Sequence, residues 1–292
     1  MNYREAFRVE PGSRIRLENL DPGLTDSDEK KKHARKELEK LKQRMDTLQF
    51  QLYAEQKRSL LICLQAPDAG GKDGVVRHVI SSMNPQGCRV VGFKQPSTLE
   101  RAHDFLWRIE HQTPRRGEIV VFNRSHYEDV LIVRVHDLVP EEIWSERYAQ
   151  INHFEQRLVA NDTHILKFFL HISKEEQLSR FEDRLDDPAR HWKISEADYS
   201  ERKYWADYEK AYEAALSRCS TAAAPWFVIP SDHKWFRNLA IARIIVETLE
   251  NLGIEVPKPT VNIDDILKKY HQADAKQERA EQRRREENGT ER

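Results

Sequence analysis

The hydrophobic and polar positions along the chain change their period several times. From Asp26 to about Lys57, apolar residues recur every three or four positions, which predicts one long amphipathic helix. Five short and nearly continuous apolar runs follow, and such runs are typical of strands that are buried on both faces. These runs are Leu60–Leu64, Arg89–Phe93, Ile119–Phe122, Ile165–Ile172 and Trp226–Ile229.

Segments of helical character separate and follow these strands. They cover Lys72–Met83, Leu99–Gln112, Pro140–Ala160, the stretch from Lys174 through Arg218, and Phe236–Leu252. Strands that alternate with helices pair in parallel through right-handed crossovers. The pattern therefore predicts an α/β fold with a doubly wound, parallel, five-stranded sheet.

The chain divides into three parts on this pattern. Residues 1–57 form an N-terminal extension, irregular over residues 1–24, and the amphipathic helix; residues 58–255 form the α/β domain; and residues 256–292 form a charged tail. Within the domain, residues 180–220 are too polar for a core helix pair and predict a helical lid beside the strand ends, where open α/β sheets bind ligands.

The tail has no large apolar residue after Tyr270, so it is interpreted as disordered or as a single helix. Binding of a polyanion by Arg283 to Arg285 is the less favoured interpretation, because Glu281, Glu286 and Glu287 neutralise these arginines.

Composition and charge exclude several classes of protein. The chain has 292 residues, 39% of them hydrophobic, and its 48 basic and 49 acidic residues nearly cancel, so no global field recruits nucleic acid. The three cysteines are far apart and fit neither a disulfide framework nor a cysteine metal site. No apolar segment approaches the ~18 residues of a membrane span, and the polar start lacks a signal-peptide core. We expect a cytoplasmic protein.

The first candidate site follows the first predicted strand. Gly70 and Gly71 allow close backbone approach, and Lys72 stands where a helix begins, which is the arrangement of a phosphate-binding P-loop. The loop departs from the pattern G-x-x-x-x-G-K-[ST], because Ala66 replaces the first glycine and Asp73 replaces the hydroxyl residue that holds magnesium. An ordinary strand-to-helix turn with a solvated lysine is the less favoured alternative.

A carboxylate in the same loop offers a replacement for the missing hydroxyl. Asp68 lies four residues before Lys72, inside the turn, and magnesium takes hard oxygen ligands alongside phosphate oxygens. Asp73 competes for this role, but near the first turn of a helix its simpler role is a favourable interaction with the helix N-terminus.

The second candidate site is the segment Asn123-Arg124-Ser125-His126-Tyr127-Glu128-Asp129, directly after the strand that ends at Phe122. In P-loop proteins a neighbouring strand end supplies a second metal contact, for which Asn123, Glu128 and Asp129 are available, and Arg124 can clamp a phosphate. The alternative is that Asn123 or Ser125 caps a helix and the charges are solvated.

A third group consists of basic residues in the predicted lid: Arg180, Arg184, Arg190, Lys193, Arg202 and Lys203. No nucleophile–base pair stands out in the sequence. An attacking phosphate is already ionised near neutral pH, so phosphoryl transfer to it needs charge neutralisation rather than a base. Lys72, Arg124, a lid arginine and magnesium meet that need.

Three segments together resemble the type-2 polyphosphate kinase family. They are Ala66-Pro67-Asp68-Ala69-Gly70-Gly71-Lys72-Asp73-Gly74, Phe122-Asn123-Arg124-Ser125-His126-Tyr127-Glu128-Asp129-Val130 and Ile165-Leu166-Lys167-Phe168-Phe169-Leu170-His171-Ile172-Ser173. The resemblance covers about Met45 to Leu252 and is to the class III type, whose second motif reads N-R-S-H-Y-E-D, where other classes have D-R-S-W-Y-N-R.

The resemblance implies a P-loop kinase-like fold and Mg²⁺-dependent phosphoryl transfer between inorganic polyphosphate and AMP, ADP or ATP. It also implies a homo-oligomer, a dimer or tetramer, without nucleic acid or membrane partners. The catalytic residues implied are Asp68, Lys72, Arg124, Asp129 and Arg180. The phosphate- and nucleotide-binding residues are Ala69, Gly70, Gly71, Lys72, Asp73, Asn123, Arg124 and Glu128. The metal ligands are Asp68 with Glu128 or Asp129, because Asn123 stands where other classes have an aspartate.

Two other functions remain open on the sequence alone. One is an ATP-dependent nucleoside or nucleotide kinase of the thymidylate-kinase type, which has the same kind of loop. The other is a nucleotide-binding scaffold protein that uses its long helices and tail for contacts. The choice of phosphoryl donor separates the first from a polyphosphate kinase, and turnover with magnesium excludes the second.

Overall fold

The computed structural model describes residues 1–27 and 29–289, with side chains through residue 281. All five predicted strands are present. They are β1 Ser59–Gln65, β2 Cys88–Gly92, β3 Ile119–Asn123, β4 Thr163–His171 and β5 Trp226–Pro230. The strands form one parallel sheet in the order β2-β3-β1-β4-β5, which confirms the predicted fold class.

The sheet is covered on both faces because its strands are apolar at nearly every position. All seven residues of β1 are buried. Leu60, Ile62 and Leu64 pack into one core, and Leu61 and Cys63 pack into another on the opposite side. The alternation of side chains along a strand produces these two cores.

The described part of the chain contains twelve helices. They are α1 Tyr3–Phe7, α2 Lys31–Glu55, α3 Lys72–His78, α4 Thr98–Arg101, α5 Trp107–Glu110, α6 Ile132–Val135, α7 Glu141–Val159, α8 Lys174–Leu185, α9 Glu196–Glu201, α10 Trp205–Cys219, α11 Lys234–Asn251 and α12 Ile263–Gly289. Helices α2, α3 and α11 pack on one face of the sheet, and α7 covers the other face, where α10 also packs. Short 3₁₀ turns cover Leu17–Asn19, Ile80–Ser82, His126–Val130, Pro188–Lys193 and Arg202–Tyr204.

The stretch Leu99–Gln112, for which helical character is predicted, is helical only in part and does not form one continuous helix. The structure has the two short helices α4 and α5 instead. The Asp104 side chain accepts a hydrogen bond from the backbone N–H of Leu106 and so starts a new turn. Leu99 is exposed, so no continuous apolar face holds one longer helix together.

The N-terminal extension contains order that its sequence did not reveal. In α1, the rings of Tyr3 and Phe7 pack against Phe236 of α11, with ring centroids 5.5 and 6.0 Å apart. The chain then continues as an irregular segment, residues 8–22, which we call the N-terminal strap. It begins beside β5, where the N–H of Val9 donates to the carbonyl of Trp226 at 2.9 Å.

Residues 256–292 form a second compact unit, separate from residues 1–255. Of the two interpretations of the tail, the structure has the single helix, α12, and its described side chains are exposed. The side chains of Arg283 to Arg285 lie outside the described residues. No helix in the described part of the chain is long and apolar enough to cross a membrane.

Replacing Phe7 by alanine tests the contribution of α1 to the fold. Phe7 is 6% exposed within the core formed with α11, and removing such a ring costs about 3–5 kcal/mol. We expect urea denaturation to show a loss of that size. Phe50→Ala, on a ring of α2 that is 64% exposed, should change the unfolding free energy by only about 0.5 kcal/mol. Equal losses in the two variants would show that α1 is not part of the cooperative core.

Candidate active site

The loop after β1 makes a tight turn that leads directly into α3. Ala69 has a φ of 58° and Gly71 a φ of 108°, and α3 begins immediately afterwards at Lys72. A Cβ atom on Gly70 would lie 2.6 Å from the Cβ of Ala66, and one on Gly71 would lie 1.8 Å from the Nη1 of Arg237. Gly70 is therefore required by space, and Gly71 by its conformation.

Lys72 folds back over this loop. Its Nζ donates to the carbonyl oxygens of Ala66 at 2.7 Å and Pro67 at 3.3 Å. An ammonium group has three N–H donors, so one remains for an anion. Burial lowers the pKa of Lys72 below its ordinary value, and the carboxylate of Asp68 opposes that shift.

Arg124 links the loop to the end of β3. Its backbone is in the left-handed region, with a φ of 64°, and its Nη2 donates to Asp68 Oδ1 at 3.0 Å. A non-glycine residue held in this conformation is strained, and such strain is concentrated at functional sites. Burial opposes the charge of Arg124, yet the carboxylates of Glu128 and Asp68 hold its pKa above the ordinary value.

Glu128 is oriented from the end of β1. The Gln65 side-chain amide donates to Glu128 Oε1 at 3.1 Å. The Gln65 Oε1 atom is buried and has no hydrogen-bond partner within the described part of the protein. Glu128 and Asp68 both line one cavity, so two of the three predicted metal-binding carboxylates face the same space.

Asp73 joins the loop to the neighbouring strand and to the lid. Its carboxylate accepts from the side chain of Asn123 at 2.9 Å and from Lys193 Nζ at 3.1 Å. Although burial acts in the opposite direction, these two hydrogen bonds hold the pKa of Asp73 below its ordinary value. Asp73 is thus a contact between the lid and the loop.

Two predicted site residues have partners away from the cavity. Asp129 accepts a hydrogen bond from Arg147 of α7 at 3.1 Å, and burial raises its pKa to about 6. Arg180 is buried and donates to the backbone carbonyls of Ala69, at 2.9 Å, and of Ser231. In this arrangement the Arg180 side chain holds the loop backbone by a hydrogen bond and does not line the cavity.

The cavity beside these groups measures about 290 Å³. It has a polar part from the loop and the segment after β3, including Asp68, Arg124 and Glu128. It also has a wall of apolar and aromatic side chains. These are Leu17, Leu131, Ile132, Phe169, Ile172, Trp205, Tyr208 and Tyr212. A cavity with charged groups beside an aromatic wall fits a small molecule that carries both an ionic group and a flat ring.

Behind the cavity, a fully buried network holds the segment after β3. Lys167 of β4 donates to Glu155 Oε2 at 2.5 Å, to the Tyr127 hydroxyl at 2.9 Å and to the carbonyl of Cys219 at 2.6 Å. Glu155 Oε1 also accepts from the Tyr127 hydroxyl at 2.9 Å and from His126 Nε2 at 3.1 Å. Burial lowers the pKa of His126, which keeps its ring neutral near pH 7.

Several cavity residues were missed by the sequence analysis. Trp205, Tyr208 and Tyr212 lie on one face of α10 at spacings of three and four, which is a detectable pattern. Asp198 of α9 also lines the cavity, and burial together with Asp68 raises its pKa. Leu17 of the N-terminal strap carries no local signal at all.

Comparison with known proteins gives consistent matches. The family model described as Polyphosphate kinase 2 (PPK2) matches residues 28–256. An AMP/ADP-polyphosphate phosphotransferase of Meiothermus ruber is 48% identical over 262 residues, covering 89% of this chain and 98% of that protein. An ADP-polyphosphate phosphotransferase of Rhodopseudomonas palustris is 46% identical over 266 residues, covering 87% of this chain and 92% of that protein.

A solved structure agrees with these matches. The crystal structure of polyphosphate kinase 2 from Arthrobacter aurescens superposes with a TM-score of 0.90 at 41% sequence identity. The superposition covers 93% of this chain and 97% of that one.

The raised pKa of Asp129 predicts a pH-dependent stability. Its folded pKa of about 6 exceeds the ~3.9 of an unfolded aspartate, so its stabilising contribution is present below about pH 4 and lost as pH rises through 6. Asp129→Asn cannot ionise and avoids this loss. We expect its unfolding free energy, relative to wild type, to improve by about 2 kcal/mol between pH 4 and pH 7.5 in urea titrations. A flat result for Asp129→Asn would contradict the assignment.

Proposed function

The chain belongs to the polyphosphate kinase 2 family, and from this premise we propose that it transfers phosphoryl groups between inorganic polyphosphate and nucleotides, forming ADP from AMP and ATP from ADP. The observation that carries the proposal is the meeting of a phosphate-binding loop with Arg124 beside one cavity that has an aromatic wall. The relatives described above are named phosphotransferases of polyphosphate, and neither name supports the alternative of an ATP-dependent nucleoside kinase.

The reaction follows from the groups that surround the loop. A terminal phosphate oxygen of the acceptor attacks the end phosphorus of polyphosphate, the bridging P–O bond breaks, and the shortened polyphosphate leaves with the bond electrons. The attacking oxygen is already ionised, so no general base is needed. Lys72, through its remaining N–H, and Arg124 hold phosphate oxygens and reduce the repulsion between the two polyanions.

We further propose Mg²⁺ as the metal, held by Asp68 and Glu128. Within the described residues no group of three His, Cys, Asp or Glu side chains gathers for a metal. Magnesium needs no such cage, because it binds through one or two carboxylates together with substrate phosphates and water. Two carboxylates on one cavity, one of them oriented by a hydrogen bond from Gln65, fit that chemistry. When bound, the ion would neutralise part of the phosphate charge.

We also propose functions for the remaining predicted site residues. Asp129 as a metal ligand and Arg180 as a lid residue that acts on phosphate both require side-chain movement, because each has a partner elsewhere. Ala69, Gly70, Gly71, Asp73 and Asn123 are proposed to contact phosphate or nucleotide. Assembly into a homo-oligomer and location in the cytoplasm are likewise proposed.

A screen of donors against acceptors tests the function. With polyphosphate and magnesium, we expect AMP to give ADP and ADP to give ATP, whereas ATP as donor to a nucleoside should give no product. Lys72→Ala should lower turnover by a factor on the order of 10³, because it removes a cation from the transition state. The exposed Lys210→Ala is the matched control and should match wild type. Activity of Lys72→Ala within a few-fold of wild type would contradict the role of the loop.

A magnesium titration tests the ligand assignment. Asp68→Asn removes a proposed ligand and should raise the magnesium concentration for half-maximal activity by about tenfold or more. Asp73→Asn removes one carboxylate charge from the same region, but its carboxylate lies with Asn123 and Lys193. Its magnesium requirement should change much less. The same increase in both variants would remove Asp68 from the metal site.

A further inference from the structure

The N-terminal strap lies outside the span that the family model matches, which begins at residue 28. It nevertheless reaches the cavity, because Leu17 is one of the cavity's lining residues. We propose that the strap is part of the nucleotide-binding site and that Leu17 contacts the nucleoside portion of the acceptor. This inference rests on the proposed function and adds a substrate-binding element to it.

The strap is held along its length by specific hydrogen bonds to α10, the last helix of the lid, and to Ser220 just after it. The Ser217 hydroxyl accepts from the N–H of Ile15 at 2.9 Å, and Glu213 Oε1 accepts from the N–H of Leu17 at 2.9 Å. Nearer the start of the strap, the Ser220 hydroxyl donates to the carbonyl of Val9 at 2.6 Å. A segment with this many backbone partners has a defined position over the cavity.

The far end of the strap is tied to the carboxyl ends of the strands. His171, the last residue of β4, donates from Nε2 to the carbonyl of Leu20 at 2.9 Å. The N–H of Asp232, just after β5, donates to the carbonyl of Pro22 at 3.1 Å. Ligands of open α/β sheets bind at these strand ends. The strap therefore crosses the edge of the sheet at which the acceptor is proposed to bind.

Leu17 is the residue of the strap whose side chain lines the cavity. It is 3% exposed and belongs to the same apolar cluster as Phe169 and Tyr212, with Tyr208 packed against that cluster. All four residues line the cavity. An aliphatic side chain among aromatic rings offers dispersion contacts to a flat heterocycle and has nothing to offer a phosphate chain.

This difference in chemistry separates the two substrates. A nucleotide carries a base and a ribose with apolar surface, whereas polyphosphate consists of phosphate alone. A contact through Leu17 therefore strengthens binding of the nucleotide without affecting binding of polyphosphate. Loss of one or more methylene contacts in an apolar pocket typically changes recognition by about 10–200-fold.

The test is a pair of KM measurements on Leu17→Ala, with Leu24→Ala as the matched control. Leu24 follows the strap, is 41% exposed and does not line the cavity. We expect Leu17→Ala to raise the KM for AMP about tenfold, while the KM for polyphosphate and kcat at saturating AMP stay within about twofold of wild type. Leu24→Ala should match wild type in all three. Calorimetric titration of AMP without polyphosphate should show the same tenfold weakening.

Two further variants keep the inference testable if Leu17→Ala folds poorly. Leu17→Met conserves the side-chain volume and should restore the KM for AMP to within about threefold of wild type. Glu213→Ala removes the acceptor of the Leu17 N–H from outside the cavity, and it should raise the KM for AMP but not the KM for polyphosphate.

The role of the strap and the proposed function fail on different results. An unchanged KM for AMP in Leu17→Ala, or a parallel change for both substrates, would show that the strap only stabilises the fold. Failure of the wild-type protein to use polyphosphate as donor would overturn the proposed function, and AMP titration would still report on Leu17.

Discussion

A buried ion pair, Lys167 with Glu155, fixes the relation between the sheet and the segment that carries Arg124. Both side chains are almost completely inaccessible, and charges removed from water are costly unless every donor and acceptor is satisfied. Here the three N–H groups of Lys167 have three oxygen partners, one of which is the hydroxyl of Tyr127. Burial of such a pair costs solvation energy that these hydrogen bonds offset, and the bonds join β4, α7 and the segment after β3.

The charged end of the cavity depends on this arrangement. His126 and Tyr127 are held from behind by Glu155, and they stand between Arg124 and Glu128 in the chain. Arg124 and Glu128 therefore lie at the two ends of a segment whose position is fixed. From one end, Arg124 donates a hydrogen bond to Asp68 of the loop after β1. Groups that must neutralise phosphate charge act best when their positions are set before the substrate arrives, since no reorganisation is then needed.

The lid and the strap close the site from opposite parts of the chain. The lid contacts the loop through Lys193 and Asp73, while the strap reaches the cavity through Leu17. The contact between Lys193 and Asp73 is a partly exposed ion pair, which is weak and can open. The strap is held by hydrogen bonds to α10 and to the end of β4 and by buried apolar groups, so it is held more firmly than the part of the lid around Lys193.

The sequence by itself determined the five strands, their parallel pairing, the glycine-containing loop before α3 and the position of the polar segment after β3. These features depend on residues that are neighbours in the chain: continuous apolar runs, glycines at the turn and polar groups at strand ends. The tertiary structure alone decided which groups meet across the chain. Arg180 contacts Ala69, 111 positions away, and His171 contacts Leu20, 151 positions away. Burial against distant segments turned Asp129 toward Arg147 and brought Leu17 to the cavity, and no local pattern encodes such pairings.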